Sequence, residues 1–145
     1  MYTALLHSHN LIRWILLILL IFVLFRAWSG WLGKGSYQKI DKITGGILVG
    51  FTHLQLIVGL LLYFVFSPIT QAAFQDMGAA MIDSSLRFYA VEHILTMIIA
   101  VVLIQLGRTF SKKATTDEEK HKKVAIFTTL ALVLILSRMP HWNLM

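Results

Sequence analysis

The chain has 145 residues, 57% hydrophobic and 14% charged, with a mean hydropathy of +0.73. Soluble domains carry about 25% charged residues, and a globule this small buries only part of its surface; the composition points to a lipid bilayer. Cysteine is absent, which excludes disulfides, iron–sulfur clusters and thiolate metal sites. The net charge of +6 comes from basic residues beside apolar runs, which reads as a topology signal and not as a nucleic-acid surface.

In chain order, the first apolar run is 11–25, extended on both sides into a span of about 4–28. A span needs roughly 20 residues. A cleaved signal peptide is the competing reading. It fails because no basic segment precedes the run, and Arg26, Trp28 and Trp31 follow where small residues would be needed. Residues 29–42 read as a polar connection broken by Gly30, Gly33 and Gly35.

The second span is predicted over 44–66, closed by Ser67 and Pro68. Residues 69–85 mix Gln71, Asp76 and Asp83 with an apolar stripe of Phe74, Met77, Met81 and Ile82, as in a short interfacial helix. The third span is 86–107. A charged link, 108–123, contains Thr116 and Glu119 in the spacing of a capping box that opens a fourth span at about 120–139. The expected fold is all-α: an integral membrane four-helix bundle of up-down topology, one domain over residues 1–145.

The loop charges predict orientation. Basic links stay on the cytoplasmic side. Both basic links therefore face inward, while the termini and the 69–85 link face outward. On this orientation Arg13, Glu92, His93 and Arg138 collect in the outer third, with His7, His9 and His141 at the outer interface. The inner half is apolar apart from Gln105. His9 and His141 read as solvated, and His121, within the charged run Glu118 to Lys123, reads as a solvated face.

Two histidines lie within apolar runs, His53 and His93. An ionisable group at membrane depth is costly unless it has a partner, and so reads as functional. At about 100° per residue Gly46, Gly50 and His53 share a face, leaving a groove where a flat ring could lie. Tyr89, His93, Met97 and Ala100 share another. Neutral imidazole is a good haem-iron ligand, and Arg13 and Arg138 suit propionates. The expected site is therefore b-type haem on His93, with His53 or His7 as second ligand. The plainer readings are a histidine hydrogen-bonded across the bundle, Gly46 and Gly50 as ordinary helix packing, and arginines paired with Glu92.

The segments Leu-Leu-His7-Ser-His9, Phe-Thr-His53-Leu-Gln, Val-Glu-His93 and Lys120-His121-Lys-Lys resemble a family of short bacterial four-helix membrane proteins labelled cytochrome b-like. The resemblance covers nearly the whole chain. It implies haem b held by histidines, a place in the bacterial inner membrane, and electron transport alone or as a quinone-linked subunit of a larger respiratory complex. Any enzyme role would be that of an oxidoreductase component; a homo-oligomer is compatible with all of this. The alternative is a cofactor-free accessory subunit or small transporter using His53, Glu92 and His93 as a polar relay. No nucleophile–base pair, phosphate loop or HExxH motif supports a hydrolase or transferase.

Overall fold

In the computed structural model, residues 2–63 and 92–137 are described, with positions 75, 78 and 82 between them. The described residues form four helices and no strand. These are α1 (Tyr2–Leu32), α2 (Lys39–Leu61), α3 (His93–Lys113) and α4 (Asp117–Ser137). α1, from Thr3, α2 and α3 are long and apolar enough to cross a membrane. The described part of α4 opens with a charged first turn of Asp117, Glu118 and Glu119.

The helices pack as a ring. α1 lies against α2 and α4, and α3 closes the ring against the same two. Neighbours run antiparallel. Near the α1–α2 link Arg26 pairs with Asp41, while at the far end of both helices Gln55 Nε2 donates to the His9 carbonyl at 2.9 Å. The core is a seam of Leu16, Leu17, Leu20, Val23, Leu24, Leu48, Ala100, Ile104 and Ala131.

The links are shorter than the sequence suggests, because the helices run into the charged segments. α1 continues through Gly30 to Leu32, where Lys34 takes the left-handed conformation at φ 54°. The Gly35 N–H then reaches back to the Gly30 carbonyl at 2.9 Å, which is the Schellman closure of a helix C-terminus. The α-left residue is a lysine flanked by two glycines. α2 starts at Lys39, five residues before the predicted boundary, because Asp41 Oδ2 accepts the Gln38 N–H at 2.9 Å. A carboxylate in the first turn satisfies a donor that the helix leaves open.

α3 passes Gly107 and ends at Lys113. Glycine weakens a helix without stopping it, and here it provides contact space: a Cβ at Gly107 would lie 2.9 Å from Phe127 Cβ. The Thr116 cap forms as the spacing predicts, with Thr116 Oγ1 accepting the Glu119 N–H at 3.2 Å. The Glu119 carboxylate turns to Lys122 Nζ at 3.9 Å. Only 114–116 separate α3 from α4. The predicted interfacial helix, the start of the third span and the end of the fourth fall largely outside the described residues.

Candidate functional site

Each helix presents one stripe to the interior, at the 3–4 residue spacing of an inward face. On α1 the stripe is Arg13, Leu16, Leu20, Val23, Ala27 and Gly30, all buried. One turn before Arg13 on the same face stands His9. On α3 the buried stripe is Ala100, Ile104, Gly107 and Ser111. Continued backwards through Met97 it reaches His93. The two inward stripes thus begin at the same end of the bundle, each with a half-buried histidine.

His9 is wedged against α2. A Cβ at Gly59 would lie 3.4 Å from His9 Cε1. His93 and Arg13 lie within electrostatic reach of His9, and the two imidazoles belong to diagonally placed helices. His9 Nδ1 is shut off from solvent without a hydrogen-bond partner among the described residues, as is Gln55 Oε1 beside it. Arg13 is buried, its guanidinium 5.2 Å from the centre of the Trp14 ring. Glu92 is half-buried immediately before α3.

The opposite, basic end holds a second polar cluster. Arg26 Nε donates to Asp41 Oδ1 at 2.7 Å and Nη2 to Oδ2 at 3.1 Å, a two-point pair. His121, 2% exposed, has Nε2 at 3.2 Å from the Ser36 carbonyl. Since a carbonyl only accepts, Nε2 carries the hydrogen. The Tyr37 ring meets the imidazole edge-on at 5.2 Å between centres. Asp41 lies within electrostatic reach of His121. This cluster joins α1, the first link, α2 and α4, and Trp28 Nε1 adds a bond to Thr129 Oγ1 at 3.0 Å.

Three expectations are corrected by these positions. His121 is not a solvated face: the helix that carries the charged run turns this residue inward, onto the gap left by Gly30. The basic end of the bundle is not apolar apart from Gln105, because Asp41, Ser111 and His121 are folded into it and buried. His9 is not simply solvated, since its ring packs against α2 at Gly59 and its Nδ1 is shut off from solvent.

The expected ligands are sorted by the same stripes. His93 and Arg13 face the interior. His7, two residues and therefore about 200° from His9, is exposed. His53 is exposed on α2, six residues or about 9 Å along the axis from the Gly59 contact with His9. His53 and His93 are not brought together. The flat group that lies over Gly46 is the Arg108 guanidinium, 3.1 Å from a Cβ built there, while Gly50 has open space. Arg138 lies outside the described residues. Among the described residues no three His, Asp or Glu gather to hold a metal ion, whereas an axial haem pair needs only two imidazoles.

His9 shares the inward face of α1, which the apolar run alone did not mark. The signal was present: Arg13, Leu16 and Leu20 follow it at 4, 7 and 11 residues, one face of a helix.

No known protein family, curated protein or solved structure matches this chain.

Proposed function

We propose that the chain is an integral membrane b-type cytochrome-like protein that holds haem between His9 and His93. The observation that carries the reading is that these two imidazoles, at the head of the inward stripes of diagonally placed helices, lie at the same end of the bundle and within electrostatic reach of one another. The membrane part rests on the outer surface. Ile18, Phe25 and Leu32 on α1 are 69%, 70% and 73% exposed, with Ile57, Leu95 and Val133 bare on the other helices. So wide an apolar exterior is what lipid covers. The basic links then mark the cytoplasmic side of a bacterial inner membrane, with both termini outside and α4 as the fourth span.

The residues fit the group. Two imidazoles would suit haem iron, and His9 Nδ1, buried without a hydrogen-bond partner among the described residues, would hold a lone pair for it when unprotonated. Gly59 keeps α2 clear of the same space. Arg13, one turn below, offers a cation for a propionate carboxylate. When bound, haem supplies one-electron transfer. The chain's own part is to fix both rings, exclude water with the apolar seam beneath, and set the potential through burial and nearby charge. Electron exchange with a quinone or a respiratory partner is the role proposed for such a site.

The test is spectroscopic. Protein expressed in a haem-replete host should be coloured, with reduced-minus-oxidised bands that disappear in His93→Ala and in His9→Ala. His53→Ala and His7→Ala should keep them. A colourless protein from such a host would leave the cofactor-free relay. Reporter fusions at Lys113 and Met145 test the membrane reading separately, and must report opposite sides.

A further inference from the structure

We propose that the cleft at the basic end of the bundle binds the phosphate of an anionic phospholipid headgroup, held by Lys39, Lys42, Arg108, Ser111, Lys112 and Lys120. The proposal rests on the membrane reading and not on haem.

The cleft has a volume of about 410 Å³ and lies between the first link, α2, the last turn of α3 and the first turns of α4. Five of its lining side chains are cationic and none is a carboxylate. Of the acids on the same elements, Asp41 is engaged by Arg26, Glu119 turns to Lys122, and Asp117 and Glu118 are exposed on the first turn of α4. Five cations around one concavity repel one another, and an anion between them removes that repulsion. The charges also come from three helices, so their convergence is a product of the fold and not of one basic run.

A second observation points into the same space. Ser111 is 2% exposed, and its Oγ has no hydrogen-bond partner among the described residues. A buried hydroxyl without a partner is costly, and this one lines the cleft. It has a donor to offer a phosphate oxygen. Arg108 is also held in place: Nη1 donates to the Lys42 carbonyl at 3.0 Å, and its plane lies over Gly45 and Gly46. That leaves other guanidinium N–H groups in the cleft wall. Lys120 is held over the Tyr37 ring, 5.6 Å from its centre.

A lipid is favoured over free phosphate by the surroundings. Ile40, Ile43 and Phe110, on the same helices as the cations, are 44%, 48% and 38% exposed and give acyl chains a surface. Basic pockets between membrane helices on the cytoplasmic side suit cardiolipin and similar headgroups.

The experiment uses full-length protein, delipidated in mild detergent and followed by native mass spectrometry and thermal unfolding. Phosphatidylglycerol and cardiolipin should be retained and should raise the unfolding midpoint; phosphatidylcholine should do neither. In the Lys42→Gln/Lys112→Gln double variant, retention should fall by about 30-fold, at roughly a unit of surface attraction per lysine. Ser111→Ala should weaken it by about 5-fold, with circular dichroism unchanged in both. Inorganic phosphate and glycerol phosphate, titrated separately, should compete only at far higher concentration. Equal retention of phosphatidylcholine, or undiminished phosphatidylglycerol binding in the double variant, overturns the site. Phosphate binding as tight as that of the lipids overturns the lipid assignment in favour of a soluble anion. Protein that passes the fusion test yet retains no anionic lipid loses the cleft alone and keeps its membrane reading.

Discussion

Gly30 and His121 occupy one space. A Cβ built on Gly30 would overlap the His121 ring, and that ring is 2% exposed. The contact seats α4 on α1 at the basic end and aims Nε2 at the Ser36 carbonyl.

Gly30→Ala should therefore destabilise the bundle by about 1–3 kcal/mol, the usual result of overfilling a packed contact. Thermal unfolding in detergent measures it. In a double-mutant cycle with His121→Ala the two losses should fall short of additive by more than about 0.5 kcal/mol. Additive losses would mean the ring does not depend on the glycine.

The Arg26–Asp41 pair predicts an asymmetry. The Asp41 side chain is 5% exposed and that of Arg26 32%. Arg26→Ala strands a buried carboxylate, costing about 2–3 kcal/mol, below the full cost of a buried pair because Arg26 already reaches solvent. Asp41→Asn leaves a cation that can turn outward, and should cost less. Equal losses in the two variants would contradict the geometry.

Two glycines should respond with opposite signs. Gly107 faces Phe127 at 2.9 Å from a built Cβ, whereas Gly50 has nothing within 4 Å. Gly107→Ala should lower the unfolding midpoint. Gly50→Ala should raise it, by the about 0.5–1 kcal/mol that alanine gains over glycine within a helix. A loss at Gly50 would reveal a contact on that face, such as a bound ring or a second copy of the chain.

Gly59 tests the histidine end. Gly59→Val adds bulk 3.4 Å from His9 Cε1 and should lower the haem-to-protein ratio measured by pyridine haemochrome. Gly50→Val, on the exposed side of the same helix, should leave the ratio unchanged. Equal ratios in both variants would place the cofactor elsewhere.

Much of the fold was legible in residue order. Apolar length marks α1, α2 and α3, and Thr116 marks the start of α4 through a bond that spans three residues. The link boundaries were harder to read. Gly30, Gly33 and Gly35 suggest a loop, yet Gly30 stays helical because its missing side chain is needed by α4. Gly107 is helical for the same kind of reason, with Phe127 as its neighbour. Whether a glycine breaks a helix or admits a partner depends on what packs there, and that partner is remote in sequence.

The sequence by itself determined that four apolar or amphipathic helices form, because helix length, caps and charge at the links are set within a few residues. Only the tertiary structure decided which histidines face the interior. A helix that is apolar on every side gives weak evidence of its inward face, so His7 and His9, or His53 and His93, look alike on paper. Packing separates them: His9 and His93 continue the buried stripes of α1 and α3, while His7 and His53 fall on the outer surface. His121 shows the same rule at the other end, where a residue among five charges is drawn inward by a gap in a helix far away in the chain.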